Sequence, residues 1–266
     1  MSNTMTLRHR AFSPQLAARI AGAAYLITNA TAEFNLFFVR PRIFVAGDAA
    51  RTASNIMAHA QLYRLAIIMD LLTVAGVVVL NVALYELLAP VHRSLARLAA
   101  FWRLVESSIY GAIIVCNFVI LSVLSGDDYR QAFEPRQLQA LVRLLMSAKT
   151  AGFWIAMLFL GLGSAIYCCL LVKSRYVPKA LALSGVAACV LFVPAIFVYF
   201  LFPEFFAAGA ANLLALPVSA LVLLGLILVP IFSFEFTIGF WLLLKGVRVA
   251  EADHIEHKIP QTRRRE

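Results

Sequence analysis

Charge is what this chain has least of. Only 14% of its 266 residues are Asp, Glu, Lys or Arg, where an ordinary soluble domain carries about 25%. With 62% of residues hydrophobic and a mean hydropathy of +0.85, the chain has too little polar surface for a water-soluble fold. The same hydrophobicity excludes a disordered chain. Cysteine is scarce: Cys116, Cys168, Cys169 and Cys189 all lie inside apolar runs. That placement argues against a disulfide framework and reads as small core residues. Histidine is scarce and scattered. His9, His92, His254 and His257 fall on one side of the expected topology and His59 on the other, with no zinc-type spacing. His254 and His257 sit in a polar tail with Asp253 and Glu256, which reads as solvated chain, not a metal site. There is no glycine-rich phosphate loop and no Ser-His-Asp pattern. No metal or cofactor is therefore expected. No polar stretch is long enough to fold as a separate soluble domain.

What the chain does have is long apolar runs. A membrane-spanning helix needs about 20 mostly apolar residues, so this length accommodates about six of them with short loops. Six runs fit, at 16–38, 63–89, 98–124, 147–172, 180–202 and 217–244. Pro41, Pro90, Pro135, Pro178, Pro203 and Pro217 mark their edges, because proline cannot donate the hydrogen bond that continues a helix. Arg8 and Arg10 before the first run imitate a signal peptide. That run is too long, and Tyr25, Asn29 and Glu33 interrupt it, so it reads as a retained span. The expected fold is all-α, an integral membrane six-helix bundle: residues 1–15 a cytoplasmic segment, 16–247 the transmembrane domain, 248–266 a basic cytoplasmic tail.

An even number of spans puts both termini on one side. Fifteen basic residues fall on that side and eight on the other, which by the positive-inside tendency makes it the cytoplasm. The net charge of +9 then reflects orientation and not nucleic-acid binding. Arg263, Arg264 and Arg265 in the tail are expected to meet anionic headgroups. On the outer side, 47–64 opens with Asp48 as a helix cap. Residues 134–148 have Pro135 in a first turn and a one-faced set, Leu138, Leu141, Leu144 and Leu145. Each is expected to be a short interfacial helix, or an outward extension of the next span, packed on the protein itself.

Charges inside the spans are the informative residues. One in hydrocarbon costs about 2.5–3.5 kcal/mol on insertion scales, so it must face the bundle interior, water or a partner. Arg103, Glu106, Ser107, Tyr110 and Asn117 share one face of span three. Span two carries Asp70, Thr73, Asn81 and Tyr85, span one Tyr25, Asn29 and Glu33, and span six Ser233, Glu235 and Thr237. Spans one, two, three and six are thus expected to surround a polar interior, with span five lipid-facing or a packing wall. By helical rise, Glu106 and Glu235 lie about 14 Å above the inner helix ends, while Glu33 and Asp70 lie about 10 Å below the outer boundary. Two layers follow. The inner layer is a ligand- or proton-binding set of Arg103, Glu106 and Glu235, joined by Tyr110 and Asn117. The outer cavity is Glu33, Asp70 and Asn29, with Lys149 and Arg64 as counter-charges. Two carboxylates beside one arginine do not both ionise cheaply. Pro230, one turn before Glu235, is a candidate hinge.

The motifs RIAGAAYLI, FVRPRIFVAGDAARTASNI, LYRLAIIMDLL, HRSLARLAAFWRLVESSIYG, FEPRQLQAL and KSRYVPKALALSGV, in that order, resemble domain of unknown function family 4386. The resemblance runs from about Arg19 to Val247. It implies a bacterial multipass protein of the inner membrane and carries no activity with it.

The residues point first to binding or translocation of a small polar, amphipathic or ionic ligand through an intramembrane cavity. The alternatives are a membrane-embedded enzyme acting on a lipid or isoprenoid, with paired carboxylates as acid and base, and a structural or accessory subunit whose charges lock helix to helix.

Overall fold

The computed structural model describes residues 13–45, 47–202 and 218–248, with backbone alone at 130 and 218–228. The first twelve residues, the tail from 249, and with it His254, His257 and Arg263–Arg265, lie outside the described residues. The described chain is helical: α1 (Pro14–Phe34), a π-helical turn (Asn35–Val39), α2 (Arg40–Ile43), α3 (Ala49–Ala58), α4 (Ala60–Leu88), α5 (Arg93–Ser125), α6 (Asp127–Ala132), α7 (Pro135–Ser174), α8 (Lys179–Leu201) and α9 (Val218–Leu244). No strand occurs among the described residues.

Four helices, α4, α5, α7 and α8, are long and apolar enough to cross a membrane, with mean hydropathies of 2.4, 2.1, 2.4 and 2.5 over their best windows. Only 22–39% of those windows is buried against the protein. Ile68, Leu72, Val79, Phe101, Val115, Phe118, Val190 and Phe197 point outward. Outward apolar side chains on long helices make this a membrane protein, its surface suited to lipid and not to water. α9 is apolar over its described part, Val229–Leu244. α1 is less apolar because it carries Gln15, Arg19, Thr28, Asn29, Thr31 and Glu33, and much of its buried face is small, with Ala17, Ala18, Ala21, Gly22 and Ala24.

The long helices form a closed ring in chain order. α1 packs on α4, α4 on α5, α5 on α7, α7 on α8 and α8 on α9, and α9 returns to α1. Small residues make the closing contact possible. A Cβ on Gly22 would run into Leu243 N and stand 2.7 Å from Gly239 O, and one on Gly239 would meet Tyr25 Cβ at 3.1 Å. Backbone-to-backbone approach of this kind is how membrane helices gain packing energy.

Both ends of the described chain come to the same end of the ring. Gln15 donates to Val247 O (2.6 Å) and accepts from Val247 N (3.2 Å), while Arg248 N donates to Tyr176 O (2.9 Å) in the turn between α7 and α8. Gly246, with φ of 68°, takes the left-handed conformation that ends α9 and sends its N–H back to Trp241 O at 3.1 Å.

Two apolar cores stack along the ring. One, at the end holding the chain's described ends, is built on Leu80, Leu84, Leu87, Leu88, Leu170, Leu171, Ile238 and Leu242. The other, at the opposite end, is built on Ile43, Ile56, Tyr63, Ile67, Ile120, Leu121 and Val142. Most of the buried polar side chains lie between or at the edges of these cores, forming a polar waist.

The segments 47–64 and 134–148 take one each of the two forms expected, a separate short helix and an extension of the next span. α3 is the separate helix: Asp48 Oδ1 accepts from Arg51 N at 2.8 Å, and Thr52, Ala53 and Ile56 are buried on the protein. Residues 134–148 are instead continuous with span four as the 40-residue α7, about 60 Å long. Nothing interrupts it, since its only proline, Pro135, occupies the first turn, and Glu134 and Gln137 form a capping box. α6, a short turn of helix before it, has no periodic apolar signal and was not expected. Span one runs past both ends of 16–38, because helix is continuous from Pro14 through the π turn to the end of α2 at Ile43.

Candidate functional site

The waist is built from side chains whose helices leave them nowhere else to go. On α5, Arg103 and Glu106 are three residues apart and face the interior, their side chains 6% and 4% exposed. Arg103 Nη1 and Glu106 Oε2 lie 2.7 Å apart. The angle is not that of a hydrogen bond, and neither atom has another partner among the described residues. α7 passes this point with Gly163, where a Cβ would stand 2.8 Å from Arg103 Cγ and 3.1 Å from Ala99 O. The missing side chain is the space in which the arginine stem lies.

Glu235 approaches from α9, across the ring, half-buried. It lies close to Asn29 of α1, whose Nδ2 donates to Tyr25 O (3.0 Å), and within electrostatic reach of Arg103 and Glu106 without forming an ion pair with the arginine. Tyr25, one turn before Asn29, is buried beside Arg103, Glu235, Cys168 and Cys189. Glu235, Tyr25, Ser164 and Cys189 border a free space of about 10 Å³ walled by Phe192 and Phe234. That is room for about one water. Five helices therefore contribute to this inner layer: α1, α5, α7, α8 and α9.

The outer layer is centred on Asp70 of α4. Asn35 Nδ2 donates to Asp70 Oδ1 (2.6 Å) and to Ala66 O (3.0 Å), and Asn117 Nδ2 donates to Asp70 Oδ2 (3.3 Å). Tyr63 donates its hydroxyl proton to Asn117 Oδ1 at 2.8 Å. Lys149 of α7 lies within electrostatic reach of Asp70, its Nζ 5.2 Å from the ring centre of Phe44. Half-buried Tyr110 stands between the layers, near both Asp70 and Glu106, with its ring edge-on to Phe153 at 6.2 Å.

Several expectations are corrected by this geometry. Asn117 belongs to the outer layer, because it lies about four turns beyond Arg103 along α5. Asn29 belongs to the inner one, facing α9. Glu33 does not join Asp70: it follows Asn29 by one turn on the α9 side of α1, while Asn35 is the residue that reaches α4. Arg64 is exposed and makes no ion pair with Asp70. Span four joins the polar interior as well. Tyr167 donates to Asn81 Oδ1 at 2.6 Å, and Asn81 Nδ2 to Ala100 O at 3.0 Å, tying α7, α4 and α5 together. Span five supplies Cys189 and Phe192 to the interior. α9 continues through Pro230.

A family model covers residues 20–246, nearly the whole described chain, and its description is domain of unknown function (DUF4386). The chain belongs to the DUF4386 family. No curated protein and no solved structure matches it. Membership of DUF4386 thus gives the extent of the domain, and the chemistry has to be read from the waist. Among the described residues no group of three or more His, Cys, Asp or Glu is placed to hold a metal ion.

Proposed function

We propose that this DUF4386 protein is a six-span protein of the bacterial inner membrane, both termini cytoplasmic, that binds or passes a small ionic ligand through its polar waist. The supporting observation is that Arg103, Glu106 and Glu235, from α5 and α9, lie within electrostatic reach of one another, with a water-sized space beside Glu235, inside a ring whose outer face is apolar. An intramembrane charge is expensive, and its usual return is an ion or proton pathway. The space is too small for an amphipathic cargo, so a proton or a small ion is the ligand class that fits. Glu106 and Glu235 are the groups that hold it, Arg103 sets their charge balance, and Asp70 lies on the outward route. Pro230 withholds one backbone hydrogen bond from α9 a turn before Glu235, which makes it the place where α9 can bend.

The test is proton flux into liposomes containing the protein, read by a pH-sensitive dye under an imposed potential. Wild-type protein carries flux and Glu235→Gln and Glu106→Gln lose most of it. Flux unchanged in both variants ends the proposal. A second reading, an accessory subunit whose charges lock the helices, is favoured by the close, buried Arg103–Glu106 pair and the smallness of the free space beside Glu235. It predicts no flux in any form, with both variants losing stability.

A further inference from the structure

The π-helical turn after α1 and the side chain that opens it point to a second binding site, distinct from the inner layer. Asn35 is the first residue of that turn, and Arg40 N reaches back to its carbonyl, the five-residue spacing of a π bond. Such turns recur at functional sites, because they displace side chains and carbonyls from the regular ladder. The orientation of the Asn35 amide is fixed by its surroundings. One end contacts two acceptors, Asp70 Oδ1 and Ala66 O, so that end is the nitrogen. Asn35 Oδ1 is then left buried with no hydrogen-bond partner. Beside it is a carboxylate that accepts from two neutral amides and forms no ion pair among the described residues. One turn back on α1, Thr31 Oγ1 is 2.7 Å from Thr73 Oγ1, three residues along α4 from Asp70. An orphaned amide oxygen stands beside a carboxylate with no ion-pair partner among the described residues, and the two hydroxyls a turn away are already hydrogen-bonded to each other and to backbone carbonyls; the oxygen and the carboxylate are donors that suit a cation.

The nearest cation belongs to the protein. The Lys149 ammonium lies within reach of Asp70's field, yet it is not within ion-pair distance and rests toward the Phe44 ring. We infer that Asp70 and Asn35 Oδ1 form a site for a small monovalent metal cation, and that Lys149 is its tethered competitor. Hard oxygen donors with a single carboxylate suit a singly charged ion such as Na⁺ better than a divalent one, which draws several carboxylates or keeps its waters. The site is closed over Asn35 Oδ1, so entry needs the π turn or the lysine to move. The inference does not rest on proton flux through the inner layer, and its test leaves Glu106 and Glu235 untouched.

The experiment is thermal unfolding of the purified full-length protein in detergent, read by tryptophan fluorescence, in NaCl and choline chloride of matched concentration. Lys149→Ala frees the site, so its melting temperature is about 5 °C higher in saturating NaCl than in choline chloride, and the difference exceeds that of the wild type. Adding Asp70→Asn removes the difference. Equal melting temperatures in the two salts for Lys149→Ala overturn the inference, and so does a Na⁺ effect that survives Asp70→Asn. Should Lys149→Ala not yield folded protein, Lys149→Gln, which removes the charge and keeps the stem, carries the same comparison.

Discussion

The Glu106 carboxylate is the buried counter-charge of Arg103, and removing it has a calculable cost. The two groups are 2.7 Å apart with side chains 4–6% exposed, and Arg103 makes no ion pair with any other described residue. Glu106→Ala leaves the guanidinium inside the ring with only Glu235, across the interior, to offset it. Breaking a buried pair from one side costs about 3–5 kcal/mol, since the remaining charge stays desolvated. For a domain of this size that lowers the melting temperature by about 6–12 °C. The double variant Arg103→Met/Glu106→Leu removes both charges and keeps the volume, so it is expected to melt within about 3 °C of wild type or above it. Fluorescence melting in detergent, with size-exclusion chromatography to confirm monodisperse protein, reads both. If Glu106→Ala melts within about 2 °C of wild type, Arg103 has an escape to water or headgroups and the closed waist is wrong. The double variant also separates the two functional readings. Stable and without flux, it shows charges kept for chemistry; destabilised in a protein that carries no flux at all, it shows a lock.

Two further outcomes follow from the packing. Gly22→Ala places a methyl on the α9 backbone at Leu243 and Gly239, where no flexible side chain can yield; the cost is about 1–3 kcal/mol or more, read as a lower melting temperature, and no change would show that α1 and α9 are further apart. Tyr63→Phe strips the donor from buried Asn117 Oδ1 and is expected to destabilise by about 1–3 kcal/mol, an effect that disappears when Asn117 is already Ala.

Much of this was legible in the residues, and the limits have a physical cause. Hydropathy located the four clear spans, and helical spacing put Arg103, Glu106 and Ser107 on one buried face, because both depend on a single helix. Asp48 as a cap and Pro135 in a first turn are likewise local. What the sequence could not give was the rotation of each helix within the ring. That rotation sends Asn29 to α9 while Glu33 stays apart from Asp70, and it brings Asn117 down to Tyr63. Asn35 was passed over because nothing in the sequence announces a π turn. Asn81 was legible in the span-two polar stripe, but its partner Tyr167 was hidden by the same gap, since a polar residue in an apolar run is read as a site only when its partner on another helix is known. Gly163 cradles the Arg103 stem, a role that a glycine within an apolar run does not announce. The free space beside Glu235 is smaller than a polar cavity was expected to be, because Phe192 and Phe234 fill it.

The measurement that bears most directly on a shared polar interior is a double-mutant cycle between Glu106→Gln on α5 and Glu235→Gln on α9, scored by unfolding free energy. Carboxylates facing one enclosed waist beside Arg103 give a coupling of about 0.5 kcal/mol or more. Effects that add to within about 0.3 kcal/mol would place the two residues in separate surroundings and contradict the account.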